Sequence, residues 1–137
     1  MTTTIRIAAA LLIGGDGQTL LVRKRGTQAF MQPGGKIDAG EQPVQALARE
    51  LYEELNLQID PGAAVYLGRF SAPAANEPGF TVQAELFQVH IDVPVSPAAE
   101  IEEVRWIDPA GDGGLALAPL TRDLILPFYR ESLASTV

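Results

Sequence analysis

Glu50, Glu53 and Glu54 are the residues with which this chain could most directly do chemistry. On a helix, positions three and four apart share a face, so these carboxylates would crowd together. Like charges at that spacing weaken a helix, and carboxylates in its C-terminal half meet the negative end of the helix dipole. Two local preferences are broken in one place, a pattern that marks functional sites. A divalent cation would reverse both penalties by supplying positive charge. The chain has no cysteine and a single histidine, His90, so that ion would be a hard one with oxygen ligands: Mg2+, Mn2+ or Ca2+. A solvated Glu-rich helix is the alternative, and the three residues alone favour it. Arg49 weakens that alternative, because it adjoins Glu50, precedes Glu53 by four, and can hold one carboxylate in place. Gly34 and Gly35 weaken it further, since glycines let backbone approach a ligand closely.

The elements that must position these residues follow from periodicity. Val44, Leu47, Ala48, Leu51 and Leu55 form one apolar stripe, which predicts a helix over Pro43–Asn56 with Pro43 in its first turn. Ile5–Ile13 is a nearly continuous apolar run, suiting a strand buried on both faces. "GGDGQ" turns the chain into a second strand, Thr19–Arg25, and the two predict an antiparallel hairpin. "GTQAFMQPGG" reads as loop with a short extended piece at Phe30–Gln32, because the residue before Pro33 avoids the helical region. Asp60–Gly62 is a turn. Ala64–Ser71 and Thr81–Asp92 read as strands joined by the polar loop "APAANEPG", and Val104–Asp108 as a short strand. "LTRDLILPFYRESL" predicts a second helix, bent or interrupted near Pro127. Trp106 and Tyr66 read as core, and His90 as a strand residue without a catalytic role. Interleaved strands and few helices imply an α/β fold with helices covering two faces of one mixed sheet.

The 137 residues suit a single domain with a substantial core, and 47% hydrophobic against 20% charged residues exclude a disordered chain. A net charge of −7 argues against broad binding to nucleic acid or anionic membranes. "IAAALLI" runs straight into a turn and a second strand, so it reads as buried strand and not as a signal-peptide core, and no stretch is long enough to span a bilayer. A soluble, cytoplasmic protein is the expectation.

The spacing around the carboxylates is similar to the Nudix box, G-x5-E-x7-R-E-U-x-E-E-x-G-U with U a bulky aliphatic residue. Here it reads Gly35, Glu41, Arg49-Glu50-Leu51, Glu53-Glu54 and Asn56-Leu57. So many fixed positions in one span make a specific signal, and the segment resembles the MutT-like branch of the Nudix hydrolases. Asn56 stands where the family has Gly. That position ends the helix, where a left-handed residue is wanted and Asn is the usual second choice.

The resemblance implies an α/β/α sandwich with a central mixed sheet: one Nudix domain over 1–137, its box at 35–57. It implies a Mg2+- or Mn2+-dependent hydrolase of a nucleoside diphosphate linked to another moiety. Carried over position by position, Glu50, Glu53 and Glu54 would bind metal together with the Gly34 carbonyl. Arg49 would orient Glu50 or Glu53, and Glu41 would support the loop–helix–loop and touch a metal through water. A carboxylate would serve as base: Glu50, or a residue of "AAEIEEV" outside the box, among which Glu100 is preferred over Glu102 and Glu103 as loop-borne. Lys36 and Arg25 would meet phosphates, and Phe30 and Gln32 precede the box where family members contact a base. For each of these an ordinary structural or surface role is the alternative, core packing for Phe30 above all.

Pro73, sixteen residues past Leu57, fits a pattern of ADP-ribose pyrophosphatases in the family and would make "SAPAANEPG" a substrate loop with Glu77 a participant. The short chain and "PGGKID" resemble equally the enzymes that remove abnormal nucleoside triphosphates. The partner expected is therefore a nucleotide-type small molecule, and a homodimer is the oligomer compatible with the family. The alternative is a Nudix-fold sensor that binds a nucleotide without cleaving it. Such modules usually lack one of the carboxylates, and all are present here.

Overall fold

The computed structural model describes residues 3–134. Six strands form one mixed sheet: β1 (Thr3–Ile13), β2 (Thr19–Lys24), β3 (Gly34–Lys36), β4 (Val65–Pro73), β5 (Phe80–His90) and β6 (Ile101–Ile107). Their order is β4-β5-β1-β2-β6, with β3 paired to β1. The β1–β5 pairing is parallel, and the others are antiparallel.

The apolar run of β1 is explained by cover on both faces. Ala8, Ala10 and Leu12 pack with Ala46, Leu47, Leu51 and Leu55 of helix α1 (Pro43–Leu55). Ala9, Leu11 and Ile13 pack with Leu120, Ile125 and Tyr129 from the C-terminal segment. Alternation on a strand thus divides one sequence run between two cores. The result is the expected α/β/α sandwich. Among the described residues, no helix is long and apolar enough to cross a membrane.

The sheet splits in the middle. β1 and β2 pair only at Ile13–Thr19, as the predicted hairpin requires, and then diverge. Residues 30–36 fill the gap. Met31 bridges to Val22 of β2, Ala10 donates to Pro33 O at 2.9 Å, and Gly34–Lys36 pairs with Ala9–Ile7 of β1. The extended piece expected at Phe30–Gln32 is therefore a pair of isolated bridges, and the regular strand lies just beyond it. Gly34 and Gly35 end the stretch that reads as loop in the sequence; here β1 offers them an open edge.

Other differences also have local causes. β6 begins three residues before the expected Val104, because Ile101–Glu103 pairs with Lys24–Arg23. β4 runs on to Pro73 against β5. The C-terminal helix opens with a π-helical turn, Thr121–Ile125, followed by α2 (Leu126–Ala134). Pro127 lacks the amide and its ring would crowd the carbonyl of residue 123; the wider turn accommodates both. Tyr66 and Trp106, read as core, are 55% and 38% exposed. Tyr66 lies on edge strand β4 and donates its hydroxyl to Glu85, a buried carboxylate that also accepts from Arg69. The Trp106 ring lies outside, against Gly14.

Helix α1 stops as expected. Asn56 has φ 52° and ψ 32°, its amide donates to Tyr52 O, and Leu57 N reaches back to Leu51 O. The bond from Asn56 to Tyr52 O is that of a left-handed helix stop, and the Asn56 side-chain amide adds a bond to Ser96 O. In urea denaturation, Asn56→Gly should stay within about 0.5 kcal/mol of the parent, whereas Asn56→Val should lose about 1–2 kcal/mol for a β-branched residue in the left-handed region. Equal stability of the two variants would contradict this account of the helix stop.

Candidate active site

Gly34 and Gly35 form the floor of the site. Gly34 has φ 146°, and a Cβ there would lie 2.1 Å from Ala8 O. A Cβ on Gly35 would lie 2.4 Å from the Glu50 carboxyl carbon. Backbone pairing thus leaves room only for glycine at Gly34, and at Gly35 a Cβ would fit only by displacing the Glu50 carboxylate.

Arg49 organises the carboxylates above this floor. Its Nε and Nη2 donate to the two oxygens of Glu41, both at 2.9 Å, a bidentate pair. Its Nη2 also donates to Lys36 O at 3.0 Å, and its Nη1 donates to Glu50 Oε1 at 2.9 Å. Glu53 lies farther off, at 3.8 Å. Arg49 therefore orients Glu50 in preference to Glu53. Glu41 is held to about 2 by its hydrogen bonds from Arg49 and from the Asp38 amide, so it stays ionised as the brace of the loop. Arg49 engages both of its oxygens. The guanidinium is correspondingly stabilised in its charged form, chiefly by Glu41.

Glu54 is different. It is 2% exposed and accepts one hydrogen bond, from the Gly34 amide at 3.2 Å. Burial pushes its carboxyl up to about 8; the Gly34 amide and the charge of Lys24 oppose the shift, and Glu50 and Glu100 add to it. A buried carboxyl among other carboxylates is a poor anion by itself and a good ligand for a cation.

Among the described residues, no three acidic or imidazole side chains already converge into a metal cage. The reason is visible in their partners: Glu50 is turned to Arg49, Glu54 to the Gly34 amide, and Glu53 is half exposed. The donor set nevertheless fits a hard divalent ion. It is all oxygen, it includes one buried carboxyl short of positive charge, and Gly35 leaves the space in which the Glu50 carboxylate sits.

A cleft opens at the split in the sheet. Gln32, Gly34, Lys36, Glu54 and Glu77 line it, together with Lys24, Pro73, Asn76 and Thr121. The loop after β4 and the start of the C-terminal helical segment form its walls. Of the residues singled out in the sequence, Gln32, Gly34, Lys36, Glu54 and Glu77 thus come together. Glu100 stands at the rim, 3.4 Å from Lys24 Nζ, preceded by Ala99 in a left-handed conformation (φ 53°). Glu102 and Glu103 pair with Arg25 and with Arg23 and Arg105. Arg25 is exposed and outside the cleft lining. Phe30 is buried with Leu21, Ile107 and Leu126, its ring under Arg23, so its face is taken by packing. Lys24 and Thr121 were not singled out. Lys24 is one basic residue among three in "RKR", and Thr121 lies 89 residues from Gln32, its hydrogen-bond partner.

The NUDIX domain family model matches residues 3–112, and the chain belongs to the Nudix hydrolase family. It is 36% identical over 109 residues to an octanoyltransferase of Myxococcus xanthus, covering 77% of this chain and 30% of that protein. It is 46% identical over 57 residues to the 8-oxo-dGTP diphosphatase of Haemophilus influenzae, covering 39% of this chain and 42% of that protein. The chain thus spans less than half the length of these curated relatives. The MutT protein of Methanosarcina mazei Go1 shares the fold, with a TM-score of 0.78, 20% identity and 96% of each chain covered.

Glu54 has a consequence for stability. Its folded value of about 8 lies above the ordinary 4.5, so the folded chain holds this proton more tightly than the unfolded chain. The contribution of neutral Glu54 is complete below about pH 4.5 and is lost as the pH rises to about 8. In chelator-treated protein, the urea midpoint should fall over that range more steeply for the parent than for Glu54→Gln, and Mg2+ should lessen the difference. Identical slopes in parent and variant would contradict the burial argument.

Proposed function

We propose that this chain is a Mg2+- or Mn2+-dependent pyrophosphohydrolase acting on a nucleoside diphosphate linked to another moiety. The observation that carries the reading is the buried Glu54 carboxyl, placed at the Gly34–Gly35 floor of a cleft that also holds Lys24 and Lys36. Glu50, Glu53, Glu54 and the Gly34 carbonyl would hold the metal. When bound, the metal would neutralise phosphate charge and acidify a water.

The chain's own residues do the rest. Lys24 and Lys36 draw the phosphates of an anionic substrate into an otherwise acidic protein. Arg49, braced by Glu41, keeps Glu50 turned toward Gly35. Glu100 at the rim, or Glu50, takes the proton of the attacking water. Arg25, outside the cleft, would meet only a substrate that extends past the rim. Phe30 supports the wall from behind, and Glu77 and Asn76 face the group beyond the phosphates. The likeness to an 8-oxo-dGTP diphosphatase supports a nucleoside triphosphate as that substrate. The position of Pro73 at the cleft supports the ADP-ribose or nucleotide-sugar type.

Incubation with Mg2+ and a panel of nucleoside triphosphates, ADP-ribose and nucleotide sugars tests this directly. At least one compound should be cleaved at a phosphoric anhydride bond, and Glu53→Gln should lower the rate by orders of magnitude. Gly35→Ala should do the same with little loss of stability, because a Cβ there meets the flexible end of Glu50 and displaces it. Unchanged rates in both variants would remove the metal-site reading. Tight nucleotide binding without turnover across the panel would favour the sensor.

A further inference from the structure

An unpaired donor marks the inner wall of the cleft. Gln32 is 6% exposed, and its Nε2 is a buried atom with no hydrogen-bond partner among the described residues. The other end of the amide is engaged: Thr121 Oγ1 donates to Gln32 Oε1 at 2.7 Å. That length suits an O–H···O bond, usually about 2.7–2.8 Å, better than N–H···O, usually about 2.9–3.0 Å. Thr121 is itself fully buried, at the first residue of the π-helical turn. With the hydroxyl donating, the amide carbonyl faces Thr121 and its NH2 is left without a partner among the described residues. The cleft lining holds the apolar Ile7, Ala9, Met31, Ala118 and Leu120 and also the acceptors of Glu54, Asn76 and Glu77, and none of these bonds to Nε2. A buried donor left in this state costs free energy, which a ligand acceptor would recover.

We propose that Gln32 and Thr121 select the nucleobase: they favour bases that present a carbonyl oxygen, 6-oxopurines and 4-oxopyrimidines, over bases with an amino group at the same place. The inference rests on the proposed function, since it takes the base of a nucleotide to enter this cleft. The chemistry is one of sign. The free NH2 donates to a carbonyl oxygen. An exocyclic amino group would meet it donor to donor, leaving two polar groups unpaired, and sites built on a hydrogen bond reject such a ligand strongly. Gln32 lines the cleft but Nε2 is buried, so the base reaches it after a side-chain adjustment of the size common on binding. Thr121 acts as a positioning residue, because it touches the amide and not the base.

The test compares hypoxanthine with adenine, which differ at C6 as carbonyl and amino. IMP and AMP binding is measured by calorimetry, and kcat/KM for ITP and ATP is measured with Mg2+. The inosine compounds should be preferred about tenfold or more in both measurements. Thr121→Val lets the amide turn and should bring the ratio near one, mainly by improving the adenine compounds. Thr121→Ser, which keeps the hydroxyl, should retain the preference. Gln32→Leu should bring the ratio near one by weakening the inosine compounds. Cleavage of ITP and ATP with equal efficiency, or a preference for ATP, would overturn this inference and leave the proposed function standing. Failure to bind or cleave any nucleotide would overturn both. The wild-type ratio decides the matter even if a variant fails to fold.

Discussion

The structure depends on a close approach that only glycine permits. Gly34 lies against the backbone of β1, and Gly35 lies under the carboxylate of Glu50. A side chain at Gly34 would push the strand from β1, and one at Gly35 would displace the Glu50 carboxylate. The split between β1 and β2, the cleft that opens there, and the reach of Glu54 into it all follow from that contact. The same strand turns the Gly34 amide to Glu54, so the fold and the site share one constraint.

Electrostatics works on top of that geometry. Crowding of like charge on α1 is tolerable because Arg49 absorbs part of it, binding Glu41 through two hydrogen bonds and Glu50 through one. Glu54 receives no such help beyond a single amide and the more distant Lys24, and its carboxyl is driven toward the neutral form by burial. The resulting arrangement is balanced for the protein as it stands and leaves a demand for positive charge at the cleft. Under the proposed function the substrate is anionic, and a cation at this place would join it to the acidic chain.

Some of this was legible in the sequence, for physical reasons that differ by element. The stripe of α1 and its stop at Asn56 are local: helical spacing and left-handed preference are properties of neighbouring residues. The doubly covered β1 is legible because an unbroken apolar run has few other uses. Strand β3 is not, because Gly34–Lys36 is a strand only by virtue of the free edge of β1. Tyr66 and Trp106 mislead because an aromatic residue on an edge strand or beside a glycine turn can stay outside, with a polar partner such as Glu85 in the case of Tyr66. The spacing of the carboxylates is legible, but not their partners: that Arg49 holds Glu50 and Glu41 more closely than Glu53 depends on where the loop of residues 36–41 lies. The Gln32–Thr121 contact joins residues from opposite ends of the chain, and neither carries a sequence signal of the other.

The central claim is that Glu50, Glu53 and Glu54 form a divalent-cation site whose charge demand the free protein leaves unmet. Titration with Mn2+, followed by the electron paramagnetic resonance signal of the free ion, measures this without reference to any substrate. The parent protein should take up Mn2+ saturably, Mg2+ should compete for it, and the variant with all three residues changed to Gln should remain folded and lose that uptake. Equal Mn2+ affinity in the parent and the triple variant would contradict the account.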